Sequence, residues 1–218
     1  HGINTLGSLI IGWDGQTPAS AAADAEGFIA LNPTFYQVVP LHPSPGTPLW
    51  DRLKNEDRLL DDYRIESDGI GDFNFVLKNF HRAEAQTLVS RTYAGLVEEG
   101  GPWPFRLSEN LLQGFLHLRG SDKPLYQQRA AAYGKMLQNM LPLALLSGSL
   151  FKGPAFQSRH RKFRRDLRRL SRRRYYQALA VGWLLLPWLL LSSWWGKLIY
   201  NLTPHGDQPN KIRRRYPQ

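Results

Sequence analysis

Two apolar runs near the start of the chain each end in glycine or proline, and both are rich in β-branched residues. Residues 7–17 read GSLIIGWDGQT, and residues 38–50 read VVPLHPSPGTPLW. This pattern is typical of a buried parallel strand followed by a loop, because a strand covered on both faces needs continuous apolar residues. The alanine-rich interval predicts a helix over 17–30 with Thr17 as its cap, and the second strand covers 35–41. The sequence therefore predicts a βαβ unit, and ligands of such units bind at the carboxyl ends of the strands.

The rest of the chain is predicted to form mainly helices. An amphipathic pattern predicts a short helix over 49–60, and alternating residues predict an extended segment over 73–80. Further helices are predicted over 81–99, 107–118 and 124–146, the last interrupted at Pro142. Gly100, Gly101 and Pro102 mark a break, and residues 148–154 are predicted to form a hinge.

Composition limits the chemistry. The 218 residues are 42% apolar, which is ample for a core, and none is cysteine, so disulfides and thiolate metal sites within this chain are excluded. The net charge of +10 is uneven. Residues 159–174 carry ten Arg or Lys and one Asp, residues 197–218 carry five basic residues and one Asp, and residues 1–158 are mildly acidic.

An uncharged segment lies between the two basic regions. Residues 178–195 read ALAVGWLLLPWLLLSSWW, with aromatic residues at both ends, as in the interfacial belt of membrane proteins. Pro187 and the basic flanks favour a kinked helix or shallow hairpin lying in one leaflet over a simple span. A buried carboxyl-terminal helix is the alternative. We expect membrane lipid as the partner of residues 159–200, peripheral or monotopic.

The basic run also carries a thin apolar stripe. Phe163, Leu167 and Leu170 recur at helical spacing among the cationic residues of 159–174. Such a helix can lie on anionic lipid or bind RNA, since both attract cations. The neighbouring tryptophan-rich segment favours lipid, and no specific nucleic acid is expected.

The chain begins with His1, and its first predicted strand follows within about six residues. We interpret it as the carboxyl-terminal piece of a longer protein; a processed amino terminus is the alternative. Two strands of βα type are too few to close a barrel, so a missing part is expected to contribute to any ligand site.

Together the motifs resemble the fifth and sixth strands of the radical S-adenosylmethionine (SAM) barrel. There a strand of the form Gly-x-φ-φ-φ-Gly-φ-x-Gly-Glu-Thr precedes a helix, and a later strand ends in Pro-x-Pro-Gly-Thr-Pro-Leu. Here the first corresponds to residues 7–17 and the second to residues 43–49. The ending GTPLW resembles the cobalamin-binding branch, as do the following Arg52, Leu53, Glu56, Arg58, Leu59, Leu60 and Asp61 and the later FNFVLKN. The resemblance covers about residues 1–100.

The resemblance implies an α/β fold: carboxyl-terminal βα units of a partial TIM-like radical SAM barrel, a mainly helical extension and a hydrophobic carboxyl-terminal helix. The corresponding regions are 1–65, 66–158 and 159–218. It implies a transferase, a methyltransferase or another radical-modifying enzyme acting on an unreactive carbon. The implied cofactors are SAM, a [4Fe–4S] cluster with ligands upstream of this chain, and cobalamin in an upstream domain. Membrane association suggests an apolar or lipid-linked substrate and a cytoplasmic location on the inner face of the membrane.

By analogy with the family, the expected adenine slot is formed by Ile11 and Gly12 on the first strand and by Leu41 and His42 at the end of the second. Branched side chains and close backbone suit a flat, mostly apolar ring. Asp14 could bind a ribose hydroxyl, although capping of the following turn is the stronger reading. Ordinary packing of strand ends is the alternative for each residue. The family's usual Glu is Gln16 here, which puts a carboxylate role in doubt.

The sequence assigns no catalytic residue and no metal ligand. His81, His117 and His205 lack partners at metal-ligand spacing and are expected in loops or on the surface. Residues 68–72, DGIGD, predict a solvated turn rather than a calcium loop. A competing hypothesis is a non-catalytic, membrane-tethered interaction module built on a barrel remnant.

Overall fold

The computed structural model describes residues 2–60 and 73–202, and for 189, 190 and 192–202 it describes the helical backbone only. The chain is mainly helical, with a small parallel sheet of two strands, and is α/β in this sense. The elements are β1 (Leu6–Ile11), α1 (Pro18–Leu31), β2 (Phe35–Pro40), α2 (Pro48–Asn55), α3 (Arg82–Gly100), α4 (Trp103–Leu118), α5 (Pro124–Leu150), α6 (Pro154–Leu170) and α7 (Arg172–Leu202). The described residues do not form a TIM barrel. The expected turn at 68–72 and the chain beyond 202, with His205, lie outside the described residues.

The predicted βαβ unit is confirmed. β1 and β2 are parallel neighbours, and their register pairs Leu6 with Phe35 and Ile11 with Pro40. Thr17 caps α1 as expected, and its side chain forms a reciprocal capping box with Ser20. Both loops that follow the strands therefore leave at the same edge of the sheet.

The expectation that the first strand is covered on both faces is wrong for the described residues. Leu6 is 71% exposed and Ile10 is 49% exposed, whereas Ile11 is completely buried. The outer edge of β2 is partly closed by α3, since the Val38 N–H donates to the Tyr93 hydroxyl at 3.1 Å. The described sheet thus keeps one apolar face of β1 in contact with solvent.

Two hydrophobic clusters organise the chain. One surrounds the sheet and contains Ile11, Phe28, Val38, Leu53, Phe73, Phe75, Ala85, Val89 and Leu96. The other lies among the carboxyl-terminal helices and contains Phe105, Leu107, Leu111, Leu112, Leu137, Leu141, Ala144, Leu145, Phe156, Phe163, Leu167, Tyr175 and Ala178. The stripe predicted on the basic run is part of this second cluster, because Phe163 and Leu167 are buried and Leu170 packs against it.

Arg106 joins the two clusters. Its buried guanidinium donates to the carbonyl oxygens of Pro33, at 2.7 Å, and of Gly101 and Leu96. It also lies over the ring of Tyr36, 4.8 Å from the centroid. Burial lowers the pKa of Arg106 to about 10. Its partners are carbonyl oxygens and a ring, so it acts as a clamp between α4 and the sheet region.

Some predicted boundaries differ. The helix predicted over 49–60 ends at Asn55, because Asp57 adopts a left-handed conformation with φ 53°. The chain is then extended, and Leu59 forms an antiparallel bridge with Phe75. This bridge agrees with the extended segment predicted over 73–80.

The predicted helix break at Pro142 is wrong, and the predicted hinge over 148–154 is shorter than expected. α5 continues through Pro142, because packing against α4 and α7 compensates for the lost hydrogen bond. Gly148 lies within α5, where its missing side chain makes room for the His160 ring, and the break is confined to residues 151–153. α4 begins at Trp103, earlier than expected, because Pro104 fits the first turn of a helix. Ser171 divides the basic run 159–174 between α6 and α7.

Candidate functional site at the carboxyl edge of the sheet

The carboxyl ends of β1 and β2 bring four of the predicted site residues together. The Leu41 N–H donates to the Ile11 carbonyl at 2.7 Å, which extends the parallel ladder to the point where both chains turn away. Gly12 follows Ile11 directly, and His42 follows Leu41. The sequence prediction that these positions share one edge is therefore matched by the geometry.

Gly12 is a position of close approach. Its φ of +101° lies in the left-handed region, and a Cβ atom there would overlap the ring of Phe73 and lie 2.9 Å from Leu77. The segment after residue 72 therefore covers the end of β1. The space that a Cβ would fill at Gly12 is already occupied by the protein's own side chains.

Gln16 holds the turn after β1 from inside. Its side chain is fully buried; Oε1 accepts from the Gly12 N–H at 2.7 Å and Nε2 donates to Asp24 Oδ2 at 3.1 Å. An amide can accept at one end and donate at the other, whereas a carboxylate at this position would face the carboxylate of Asp24. This arrangement gives a local reason for Gln where the family pattern has Glu.

Asp14 is paired with two arginines. Arg58 donates to both carboxylate oxygens, at 2.7 and 3.1 Å, and Arg52 donates to Oδ2 at 2.9 Å. The hydrogen bond from Arg58 and the nearby positive charges outweigh desolvation and hold the pKa of Asp14 below its ordinary value. Asn79 donates to the backbone carbonyls of Asp14 and Gln16, at 2.7 and 3.0 Å. Asp14 thus ties the loop after β1 to α2 and to the chain that follows it.

His42 and Asn74 form a polar pair at the end of β2. Asn74 Nδ2 lies 3.4 Å from His42 Nε2 and donates to the Pro43 carbonyl at 3.3 Å. Asn74 is 95% buried, and its Oδ1 has no hydrogen-bond partner among the residues that the structure describes. A buried acceptor without a partner is unfavourable unless a donor reaches it. This atom fits the N–H or O–H group of a ligand.

Sequence reasoning did not single out Asn74. The sequence signal that could have found it is its position between Phe73 and Phe75, since a polar residue between two large apolar residues is a candidate for burial. In the structure both rings are buried and enclose Asn74. The ion pairs of Asp14 were also missed, since Arg52 and Arg58 lie 38 and 44 residues away in sequence.

Two of the three histidines that the sequence did not favour as metal ligands, His81 and His117, lie where expected. His81 precedes α3 as its N-cap, and His117 is exposed on α4. Across residues 2–60 and 73–202, no group of three or more His, Asp or Glu side chains could hold a metal ion.

The carboxyl-terminal helices present a mixed cationic and apolar surface. α6 buries Phe156, His160, Phe163 and Leu167 and turns most of its arginines to solvent. α7 runs through Pro187 as one helix and exposes large apolar side chains, namely Tyr176, Val181, Trp183, Leu184, Leu185, Trp188 and Leu191. Within the described chain, no helix is both long enough and apolar enough to cross a bilayer.

Comparison with known proteins found no relative of the chain. No protein-family model matches the chain, and neither the curated proteins nor the solved structures include a match to it. The case for a function therefore depends on the residues and on the geometry at the edge of the sheet.

Proposed function

We propose that the chain is the carboxyl-terminal part of a cobalamin-dependent radical SAM enzyme, with the βαβ unit belonging to its partial TIM-like barrel. The observation that supports this most is the pairing of β1 with β2. The two motifs that resemble the family's fifth and sixth strands are parallel neighbours in the expected order, and their loops meet at one edge. An antiparallel or distant arrangement would have been incompatible with a shared nucleoside site.

The exposed face of β1 supports a larger sheet. Leu6 is 71% and Ile10 is 49% exposed, and in the described part of the chain one edge of β1 has no neighbouring strand. Apolar side chains and an unpaired strand edge are both stabilised when another element covers them. A neighbouring barrel strand supplied by another part of the protein would provide that cover.

The residues at the edge fit an adenosyl group in part. Leu41 is half-buried and offers apolar contact, and Asn74 Oδ1 offers an acceptor suited to an exocyclic amino group, whereas Ile11 is completely buried and packs inside the cluster around the sheet. His42 lies beside Asn74 and can reach the same ligand. Asp14 keeps its carboxylate ion-paired, so a ribose contact there would be added to the arginine contacts. Because Phe73 fills the space over Gly12, the proposal places the ring on the β2 side of the edge.

The metal cofactors do not fit this chain. The 218 residues contain no cysteine, so the proposal assigns the [4Fe–4S] ligands, and the cobalamin domain, to a part of the protein outside this sequence. A cluster held by that other part of the protein would supply the electron for radical chemistry with SAM. The residues described here would bind and orient the adenosyl part of SAM and exclude water from one side of it.

The test uses the complete protein, including whatever precedes His1. Its coding sequence should contain a three-cysteine motif, and anaerobic reconstitution should give iron–sulfur absorbance and 5′-deoxyadenosine from SAM. A different upstream domain, or a reconstituted protein that leaves SAM intact under reducing conditions, would rule out this class of enzyme.

Membrane association is the second part of the proposal. The exposed aromatic and aliphatic side chains of α7 and the arginines of α6 suit the interface of an anionic leaflet, on the inner face of the cytoplasmic membrane. This location favours an apolar or lipid-linked substrate. Replacing Trp183, Leu184 and Trp188 by Ser should shift the protein to the soluble fraction, whereas Leu31→Ser, an exposed leucine on α1, should not. Retention of the triple variant in the membrane pellet would contradict the assignment.

A non-catalytic, membrane-tethered module is the alternative. The filled space over Gly12 favours it, since a barrel remnant that only packs against a partner needs no ligand there. The two functions differ in one readout: the module binds no SAM in the complete protein, whereas the enzyme does.

A further inference from the structure

A cavity of about 320 Å³ lies among α4, α5 and the junction of α6 with α7, away from the edge of the sheet. Its wall is largely apolar and is formed by Phe115, Leu137, Leu141, Leu167, Leu170 and Tyr175. Gly134 and Gln138 on α5 also line the cavity. The volume is at the lower end of the range for small-molecule sites, ~300–1,000 Å³. The cavity can therefore take a slender apolar group.

The mouth of the cavity is cationic. Ser171 and Arg174 line it where α6 ends and α7 begins. The cations concentrated at this junction are exposed and lie within seven residues of chain; they are Arg168, Arg169, Arg172, Arg173 and Arg174. None of the five forms an ion pair with any residue in the described ranges. The amino terminus of α7 adds the positive end of its helix dipole.

Anions would be stabilised at this mouth, and an apolar chain would be stabilised below it. The cavity also adjoins the exposed apolar side chains of α7, because Tyr175 lines the cavity and Tyr176 is the next residue. A ligand with an acyl chain and an anionic head group satisfies both the charge and the apolar wall. A neutral lipid would give Arg174, the arginine that lines the cavity, no anionic partner.

We propose that this cavity holds one acyl chain of an anionic membrane lipid, with the head group at the arginines of the α6–α7 junction. The inference depends on the proposed membrane association and is independent of the radical chemistry. The cavity would retain a single lipid drawn from the leaflet on which α7 lies.

The test is photo-crosslinking in vesicles. The complete protein is mixed with vesicles of phosphatidylcholine and phosphatidylglycerol, to which a lysophosphatidylglycerol carrying a diazirine at the end of its acyl chain is added, and the labelled residues are mapped by mass spectrometry. We expect labels on α5 between Gly134 and Leu141 and on residues 167–175. A monoacylglycerol with the same diazirine chain is the neutral probe and should label these residues about tenfold less, corresponding to about 1.4 kcal/mol.

Two variants separate the cavity from the surface. In Gly134→Leu the new Cβ would lie 3.4 Å from Phe115, an ordinary contact, so that the side chain can enter the cavity. This variant should lose about 90% of the cavity label, an order-of-magnitude expectation from displacement of several buried methylenes. Gly27→Leu on α1, where nothing lies within 4 Å, is the matched control and should keep the label.

Each result supports or overturns one part of the proposal. Labels confined to residues 176–191 and unchanged in Gly134→Leu would overturn the cavity proposal, because the lipid would touch the surface only. Equal labelling by the neutral probe would overturn the role of the arginines. Cosedimentation with the vesicles reports membrane association separately: if the wild-type protein does not pellet, that association fails, and if it pellets without a cavity label, only the cavity inference fails.

Discussion

Replacing Gly12 by alanine should destabilise the protein strongly. At a φ of +101° an alanine is strained by about 1–2 kcal/mol. Its Cβ would overlap the buried ring of Phe73, and forcing extra volume into a packed core costs ~1–3 kcal/mol. The two effects together predict a loss of roughly 2–5 kcal/mol, a large fraction of the ~5–15 kcal/mol that stabilises a typical domain.

The assay is urea unfolding followed by tryptophan fluorescence, with the slope of the transition compared between variants. Gly27→Ala is the matched control, because Gly27 lies inside α1 with nothing near its Cβ position. It should stabilise the protein by up to about 1 kcal/mol. In a Phe73→Ala background Gly12→Ala should cost only the backbone strain, about 1–2 kcal/mol. A Gly12→Ala protein within about 0.5 kcal/mol of the wild type would refute the close approach of residue 73 to β1.

Three further outcomes are expected. Arg106→Met removes the hydrogen bonds to three carbonyl oxygens and should cost about 3–5 kcal/mol in urea unfolding, whereas Arg119→Met at the exposed end of α4 should change little; equal effects would contradict the clamp. Burial lowers the pKa of His160, which is packed near Arg164. The unfolded chain therefore binds a proton that the folded chain does not, and stability should fall as the pH drops below about 6.5, by at most ~1.4 kcal/mol per pH unit. His160→Gln should flatten this dependence between pH 7.5 and 5.5, and an unchanged slope would assign it elsewhere. Pro142→Ala restores an N–H inside α5 and should raise stability by about 1–3 kcal/mol; a loss would show that the proline ring itself is needed for packing.

The first part of the fold was predictable because its signals are local. Apolar runs ending in Gly or Pro, and a Thr–Pro pair before an alanine-rich segment, specify β1, α1 and β2 without reference to the rest of the chain. The parallel pairing followed from the helix between the strands. The exposure of one face of β1 was not predictable, because residue type alone does not show whether another element covers a strand.

The wrong predictions fall where contacts between residues distant in sequence determine the local structure. Pro142 and Gly148 are helix breakers by local preference, yet α5 continues through both, since it packs against α4 and α7 and since Gly148 accommodates His160. Arg106 was not singled out from the sequence; it is buried, and its guanidinium donates to carbonyl oxygens of two segments, Pro33 and the end of α3. Such arrangements depend on tertiary packing that periodicity does not encode.

At the candidate site, sequence identified the positions but not their partners. Ile11, Gly12, Leu41 and His42 were placed at one edge by the order of the strands. The ion pairs of Asp14 were not predicted, because they form only when α2 and Arg58 fold against the loop after β1. The buried acceptor of Asn74 was not predicted either, because it forms only when the segment after residue 72 folds back over the sheet.

The most direct test of the SAM site is photolabelling of the complete, anaerobically reconstituted protein with an azidoadenine analogue of SAM. We expect labelling of peptides containing residues 41–43 or Asn74, competition by unlabelled SAM, and a clear loss of label in Asn74→Leu, which fills the same space without an acceptor. Labelling that SAM does not compete, or that lies on other peptides and is unchanged in Asn74→Leu, would contradict a nucleoside site at the carboxyl edge of β1 and β2.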